Sequence, residues 1–247
     1  MHLSRITGIA VCVILLSLSL AACQAADDNG GEPPSTLASS QGVENVETTA
    51  DDDSGRLTDV TISEETVDWN NDGTMEKLLI KMTEGKLVKY PDPGPIMGDC
   101  YVGQFAAELT DAAGNVLQTH DIGVEFESDG SMTFRRGMLP FSIPFDDYNG
   151  DGYPDFTVGQ YATSNGNIFN IYTIQPEGIS RIGGPIFTSD RDGYYSTRYA
   201  KKPPSSLLNR YYDNSRGETF ESTFEWINDA FVKQGEKVVV FQEDTAS

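Results

Sequence analysis

Residues 145–156, FDDYNGDGYPDF, are the stretch on which the interpretation of the whole chain depends. Counting from Asp147, oxygen-bearing side chains fall at positions 1, 3, 5 and 9, and Gly152 stands at position 6. A hard cation such as Ca²⁺ takes roughly six to eight oxygen ligands, which a loop can supply when alternate residues point inward. Glycine at position 6 permits the sharp turn because it adopts positive φ without steric cost. The stretch therefore predicts a calcium loop.

The same 1-3-5-6-9 spacing occurs a second time upstream, beginning at Asp68 and ending at Glu76, with Gly73 at position 6. Asn, Asp and Gly also favour ordinary turns for reasons unrelated to metals, so two metal-free Asx turns are the alternative. Two complete copies, each with an acid at position 9, favour calcium. The predicted ligands, including the position-7 residues, are Asp68, Asn70, Asp72, Thr74, Glu76, Asp147, Asn149, Asp151, Tyr153 and Asp155.

Neither stretch is an EF-hand, because position 12 is Leu79 or Val158 where an EF-hand carries a bidentate Glu. Both loops run into apolar, strand-like segments, residues 77–81 and 156–158. This arrangement resembles the loop-into-strand sequence of FG-GAP and VCBS-type repeats. The resemblance implies β structure and structural calcium, and it implies no activity.

A third, incomplete match surrounds Asp190 and Asp192, which precede Gly193. Positions 1 and 9 of this match would be Thr188 and Ser196, neither of which carries a carboxylate. A third metal site and an ordinary turn both remain open at this point.

The chain from residue 58 onward predicts an all-β, antiparallel domain. Residues 219–226 alternate most cleanly, with Phe220, Phe224 and Trp226 on one face. We expect two meander units, each headed by a calcium loop, packed as a truncated propeller or as a sandwich. A short helix is allowed within residues 205–212. Further strands are predicted at residues 60–62, 78–82, 105–110, 116–120, 125–127, 131–134, 156–161, 168–174, 179–186, 231–233 and 237–241.

The N-terminal residues 1–22 predict an export signal, because Arg5 precedes an apolar run that is too short for a membrane span. Leu20-Ala21-Ala22-Cys23 resembles the lipobox of bacterial lipoproteins, which implies cleavage before Cys23 and lipid attachment to it. Ordinary secretion with an incidental cysteine is the alternative. Residues 23–57 are acidic and poor in large apolar residues, which predicts a disordered linker between the lipid and a domain at residues 58–247.

Charge and cysteine content narrow the class of function. The formal net charge of −21 argues against nucleic acid as a partner, because nucleic acid binding needs clustered positive charge. Cys100 and His120 could in principle form a thiolate pair, but a lone cysteine is more often a small buried hydrophobe. No zinc-protease or nucleophile-elbow motif occurs in the sequence.

These features predict an exported lipoprotein, anchored by lipid at Cys23 on the outer side of the cell membrane, with structural Ca²⁺ and a non-enzymatic binding or adhesion role. The alternatives are an exported hydrolase of polysaccharide or cell wall, and a purely structural envelope protein. An unknown extracellular or envelope ligand is the expected partner. Aromatic residues in β domains usually pack in the core or as cross-strand pairs, and that is one interpretation of the tyrosines after loop 2. The alternative is a ligand face, chosen because the segment is aromatic and unusually basic, which consists of Tyr194, Tyr195, Arg198, Tyr199, Tyr211 and Tyr212.

Overall fold

The computed structural model describes residues 55–127 and 129–240. The predicted signal peptide, the lipid site at Cys23 and most of the predicted linker lie outside these residues. The described part of the chain is all-β and antiparallel, as the sequence predicts. No helix in that part is long and apolar enough to cross a membrane.

Twelve strands can be assigned in the described residues, together with two 3-10 helices at Gly123–Glu125 and Arg136–Met138. The strands are β1 (Arg56–Val67), β2 (Glu76–Tyr90), β3 (Gly98–Thr110), β4 (Val116–Asp121), β5 (Ser131–Arg135), β6 (Asp155–Thr163), β7 (Gly166–Gln175), β8 (Gly178–Thr188), β9 (Ala200–Lys202), β10 (Ser206–Asp213), β11 (Glu218–Ile227) and β12 (Ala230–Val238).

The strands form three antiparallel sheets in chain order. Sheet A has the order β1-β2-β3-β4, with β5 also paired to β3. Sheet B has the order β6-β7-β8, and sheet C has the order β12-β11-β10-β9. Because neighbours in space are mostly neighbours in sequence, each sheet is a meander built from tight connections.

Sheet B contributes to two hydrophobic clusters. Phe156 and Val158 of β6 belong to the first, together with Leu78 and Phe105 of sheet A. The second contains Phe169, Ile171, Ile182 and Ile186 of sheet B with Leu207 and Phe231 of sheet C. Sheet B therefore packs on both sheets, which explains why β7 is buried along almost its whole length.

Three expectations about local structure are wrong. Residues 206–213 form strand β10 and not a helix, because Leu207 packs into the second cluster while Arg210 is exposed, the alternation of a strand. Glu125 ends a 3-10 helix and does not start a strand, since its backbone turns at Gly123–Glu125. The two strands expected near the C-terminus are one continuous strand up to Val238, β12, because Lys233 and Lys237 both pair with β11.

The sequence predicts two meanders, and the described residues contain three. Residues 68–75 connect β1 to β2, and residues 147–154 lead into β6, whose first residue, Asp155, also pairs with Asp146. Sheet C is the additional meander. We refer below to residues 68–76 as loop 1 and to residues 147–155 as loop 2.

Candidate metal centre

Loop 1 and loop 2 have the same backbone shape. Position 4 is left-handed in both, with φ of 58° at Asn71 and 80° at Gly150. Position 6 is left-handed as well, with φ of 86° at Gly73 and 87° at Gly152. Glycine and asparagine are the residues that adopt this region most readily, so the sequence pattern accounts directly for the turn.

The side chains of the two loops repeat the same hydrogen bonds. In loop 1, the Asp68 carboxylate accepts from the backbone N–H of Asp72 at 3.0 Å and of Gly73 at 3.0 Å. In loop 2, Asp147 accepts from the N–H of Asp151 at 3.1 Å and of Gly152 at 3.1 Å. The spacing that the two loops share therefore gives them the same local structure.

The agreement extends to positions 3 and 5. The amide of Asn70 donates to Asp72 at 2.9 Å, and the amide of Asn149 donates to Asp151 at 2.8 Å. Asp72 accepts from the N–H of Thr74 at 2.7 Å, and Asp151 accepts from the N–H of Tyr153 at 2.9 Å. The hydrogen bonds from Thr74, followed by the one from Asn70, hold the pKa of Asp72 below its usual value.

The position-9 acid of each loop is buried and has an oxygen with no hydrogen-bond partner. Asp155 is 0% exposed; its Oδ2 accepts from the N–H of Tyr148 at 2.7 Å, whereas its Oδ1 accepts no hydrogen bond of normal geometry from the described residues, although the Thr173 hydroxyl is close enough to lower the pKa of the carboxyl. Glu76 is 5% exposed, and its Oε2 likewise has none. A buried carboxylate oxygen without a donor is costly, and a cation is one group that satisfies it.

Burial raises the pKa of the Asp155 carboxyl to about 7, and the neighbouring charge of Asp151 acts in the same direction. The N–H of Tyr148, the Thr173 hydroxyl and the N–H of Asn149 oppose this rise but do not cancel it. The fold therefore makes the ionised form of Asp155 less favourable than it is for an aspartate in water.

Within the described residues, no three His, Cys, Asp or Glu side chains are arranged closely enough to form a ready-made metal site. The Asp oxygens of each loop are directed at backbone N–H groups. Holding a cation would require those carboxylates to converge by side-chain rotation, with Asn and backbone oxygens completing the shell.

The surroundings of the two loops differ. The Lys201 ammonium contacts Asp146 at 2.7 Å and donates to the carbonyl of Asp147 at 2.8 Å. Arg198 donates to the carbonyl of Phe145 at 3.1 Å, and the amide of Gln175 donates to Asp151 at 2.6 Å. Loop 2 is thereby tied to the segment entering sheet C and to the end of β7.

These supporting residues were not identified from the sequence. Lys201 lies in a segment that composition marks as basic, but nothing in the sequence places it beside residue 146. Nothing in the sequence marks Gln175 as a residue that contacts loop 2.

The two loops also contact each other: the Asn71 amide donates to the carbonyl of Gly152 at 3.4 Å.

The partial match at Asp190 and Asp192 does not bring its carboxylates together. Asp192 accepts from the Thr197 hydroxyl at 2.8 Å and from the Arg198 N–H at 3.0 Å. Asp190 instead faces Arg210 at 3.5 Å. The segment is a turn held by these separate contacts.

The residues of the candidate ligand face do not lie on one surface, and several of its tyrosines pack in the core. Tyr195 is 3% exposed and its hydroxyl accepts from the Arg135 N–H at 2.6 Å. Tyr199 is 4% exposed, and Tyr194 packs against the first cluster. Tyr211 and Tyr212, neighbours in β10, point to opposite faces of sheet C. Burial depends on contacts between sheets, which the composition of one segment does not reveal.

Cys100 and His120 are far apart. Cys100 is fully buried near one end of β3, where burial raises the pKa of its thiol. His120 pairs with Ala107, seven residues further along that strand, which is roughly 23 Å in an extended chain. His120 instead lies 3.4 Å from Glu125. The thiolate–imidazole pair considered from the sequence is therefore not formed.

No family model, curated protein or solved structure matches the chain.

Proposed function

We propose that this protein is an exported, lipid-anchored, calcium-binding protein whose β domain is a non-enzymatic binding module at the cell surface. The observation that supports calcium most strongly is the repeat of one loop conformation, each copy ending in a buried carboxylate oxygen without a partner, on Glu76 and Asp155. A hard divalent cation ligated by oxygen is the group that such a donor set suits.

The proposed role of calcium is structural. Each loop contributes three carboxylates: Asp68, Asp72 and Glu76 in loop 1, and Asp147, Asp151 and Asp155 in loop 2. Three negative charges on one turn repel one another, and a divalent cation would reduce the local sum from −3 to −1. The metal holds the turn and the start of the following strand, and it activates no water.

The lipid anchor is supported by the sequence alone. The apolar run followed by Leu20-Ala21-Ala22-Cys23 is the pattern of a lipoprotein signal, and an acidic segment would then separate the lipid from β1. Two or more acyl chains on Cys23 give a stable membrane anchor, whereas one chain gives only reversible binding.

Calcium binding is tested by melting the full-length protein in calcium and in chelator. An exported protein needs a dissociation constant of only about 10⁻⁴–10⁻³ M. At ten times that constant, each site stabilises the fold by about 1.4 kcal/mol. We expect Asp151→Ala to remove about half of the calcium response, and Asp190→Ala, the matched control in the third turn, to leave it intact. Identical melting temperatures in calcium and in chelator, for protein shown to be metal-free at the start, would mean that both loops are ordinary Asx turns that bind no calcium.

Anchoring is tested separately by fractionating cells that express the wild-type protein or Cys23→Ser. The wild type should be in the membrane fraction, and Cys23→Ser should be released or remain unprocessed. Wild-type protein found only in the medium, with Cys23 unmodified, would contradict the anchor and leave the calcium sites untouched.

A further inference from the structure

The hairpin of β2 and β3 ends in a seven-residue turn, residues 91–97, with the sequence PDPGPIM. Five of these residues are apolar, and Asp92 carries the only charge. Surface turns are built mainly from Gly, Pro, Asn, Asp and Ser, so the pair Ile96 and Met97 is unusual in this place. Met97 is 37% exposed, and Leu87, near the base of the turn, is 42% exposed. The end of the hairpin therefore offers apolar surface to its surroundings.

The backbone of this turn is also poor in hydrogen-bond donors. Pro91, Pro93 and Pro95 have no N–H group, so the seven residues carry only four. An unpaired N–H costs free energy when it leaves water, and each proline lowers the cost of moving the turn into a less polar environment. The turn is therefore suited to contact with a partly apolar surface.

The turn lies at the end of sheet A where β1 begins. Arg56, the first residue of β1, pairs with Lys86, and β2 continues to Tyr90, which pairs with Gly98 on the other side of the turn. The hairpin therefore extends past the start of β1 by about four residues, roughly 13 Å. We call residues 86–99 the near end of sheet A.

The opposite, far end of sheet A carries apolar side chains of greater exposure, Val116 at 55% and Leu117 at 48%. Val116 pairs with Thr110, at the other end of β3 from Gly98, which is about 40 Å along an extended strand. Exposure alone therefore does not distinguish the two ends. Their distance from the start of β1 does.

The start of β1 is where the chain arrives from the proposed lipid anchor. Cys23 and Gly55 are 32 residues apart, and a disordered chain of that length has ends about 30 Å apart on average. A lipid on Cys23 therefore keeps the near end close to the bilayer, at a high effective concentration, and holds the far end less closely. The bilayer is thus the partly apolar surface that the turn meets most often.

Charge neither drives nor prevents this contact. The charged residues within and beside the near end are five cations and four acids: Arg56, Lys86, Lys89, Arg135, Arg136, Glu84, Asp92, Asp99 and Asp129. They sum to +1, whereas the whole chain carries −21. Burial of apolar side chains is therefore the driving force.

We propose that the 91–97 turn docks shallowly on the bilayer to which Cys23 is anchored, so that the domain contacts the membrane directly as well as through its lipid. Ile96, Met97 and the three prolines enter the boundary between headgroups and acyl chains, about 5–10 Å deep. Asp92 stays among the headgroups, which limits the depth.

The inference rests on the proposed lipid anchor and adds an orientation to it. Loop 1 joins β1 to β2 at the far end of sheet A, because Val67 pairs with Glu76 and Lys77 pairs with Thr110. Docking of the near end therefore turns loop 1 away from the membrane.

The test uses the full-length lipidated protein in phosphatidylcholine vesicles, with a bimane dye on one introduced cysteine. Cys23 carries the lipid in such protein and Cys100 is fully buried, so neither takes the dye. Pro95→Cys, at an exposed position, reports on the turn, and Val116→Cys is the matched reporter at the far end. Brominated phosphatidylcholine quenches a dye only where the dye contacts acyl chains. We expect about twofold or stronger quenching at Pro95 and none at Val116, in protein that floats with the vesicles.

Two substitutions test whether apolar contact is the cause. Met97→Asp places a second charge in the turn and should abolish quenching of the Pro95 reporter. Val116→Asp, the matched change at a more exposed site, should leave that quenching unchanged. Both side chains are exposed, so the melting temperatures should equal that of the wild type. Quenching that survives Met97→Asp would contradict the proposal.

Four other results would also overturn the docking. An unquenched Pro95 reporter in floating protein removes the contact and leaves the anchor intact. Equal quenching at Pro95 and Val116 would mean that neither end of the domain prefers the bilayer. A blue shift at Pro95 without quenching by bromine would mean that a protein surface, such as a second copy, covers the turn. Protein that carries no lipid and does not float would contradict the anchor, and the docking with it.

Discussion

Loop 1 and loop 2 share a sequence pattern, a backbone conformation and a set of internal hydrogen bonds, yet they occupy different places in the fold. The hydrogen bonds that the position-1 carboxylate accepts are solvent-exposed in both loops, but loop 1 joins two strands of one sheet. Loop 2 has Tyr148 at 1% exposure and Asn149 at 8%, and it contacts two other parts of the chain. The local sequence therefore determines the shape of such a loop. The residues packed around the loop determine how much of the stability of the fold depends on it.

This contrast has an energetic consequence. Disturbing loop 1 affects a hairpin end that is already exposed to water, whereas disturbing loop 2 affects the start of β6 and the segment that leads into sheet C. Equivalent substitutions in the two loops should differ in cost wherever the side chain touches the surroundings, and should agree wherever only the loop backbone is involved.

The largest difference is expected at position 2, an aromatic residue in both loops. Tyr148 is buried in the second cluster, and its hydroxyl accepts from the N–H of Tyr199 at 3.1 Å. Trp69 is only partly buried against the first cluster. We expect Tyr148→Ala to lower the free energy of unfolding by about 3–5 kcal/mol. Trp69→Ala should lower it by about 1–2 kcal/mol.

Urea denaturation of both variants in calcium gives this comparison directly. Tyr148→Phe is the control, since it keeps the ring and removes only the hydroxyl, at an expected cost of about 1 kcal/mol. Equal losses for Tyr148→Ala and Trp69→Ala would mean that loop 2 is no more embedded than loop 1.

The next difference concerns the charge at position 9. Burial raises the pKa of Asp155 to about 7, so its ionised form is unfavourable in the fold without a cation. Asp155→Asn keeps the shape and an oxygen that can accept from Tyr148. We therefore expect this variant to be as stable as the wild type, or more so, in chelator. In calcium it should be less stable, by about 1.4 kcal/mol at ten times the dissociation constant.

Glu76→Gln is the matched change in loop 1. It should also lose the contribution of its own site in calcium, and should keep the response of loop 2. Thermal melting in calcium and in chelator gives both quantities for each variant. A loss of stability by Asp155→Asn that is the same in calcium and in chelator would show that the carboxylate serves the fold without a metal.

The sequence predicts the loops well because their information is local. Asp, Asn and Gly at fixed spacing dictate left-handed residues and Asx hydrogen bonds, and Asn71 and Gly73 adopt that geometry as expected. The burial of Asp155 and the contact of Lys201 with Asp146 arise from sheets brought together over long sequence separations. Neither has a periodicity or a motif to reveal it.

The missed features of sheet C have a related cause. In β10, Leu207 and Asn209 are buried, whereas Leu208 is partly buried and Arg210 is exposed. Because one buried residue is polar and one outward residue is apolar, the sequence does not show the period of two that indicates a strand. The pairing of β9, β10, β11 and β12 depends on register across four strands, and single-segment patterns do not fix register. The sequence leaves Tyr199 open between core and surface for the same reason, since its buried position depends on Tyr148 and Thr188.

At position 6 the two loops should behave alike. Gly73 and Gly152 have φ of 86° and 87°, and a Cβ on either would meet no atom within 4 Å. Replacement by Ala therefore costs only the left-handed backbone conformation, about 1–2 kcal/mol in each loop. Urea denaturation in chelator isolates this term from metal binding. A Gly152→Ala cost well above that of Gly73→Ala would indicate that loop 2 also transmits backbone strain to its neighbours.

The smallest effect is expected at the one hydrogen bond that joins the loops within the described residues, from the Asn71 amide to the carbonyl of Gly152. At 3.4 Å and exposed to solvent, this bond contributes about 0.5 kcal/mol or less to stability. Asn71→Gly removes the bond and still permits φ near 58°, but it also makes the unfolded chain more flexible, so the measured loss of stability is an upper limit for the bond.

The bond matters more for how the sites influence each other than for stability. Ordering of loop 2 by calcium fixes the Gly152 carbonyl, which in turn fixes Asn71, so each site should bind slightly more tightly when the other is filled. Titrating calcium into the wild type, Asn71→Gly, Asp151→Ala and the double variant forms a cycle that isolates this coupling. We expect Asp151→Ala to weaken calcium binding at loop 1 by up to about twofold in the Asn71 background and to have no effect in the Gly background. Coupling that survives Asn71→Gly would have to pass through the packing of sheets A and B, and the two loops would then be parts of one rigid unit despite their different surroundings.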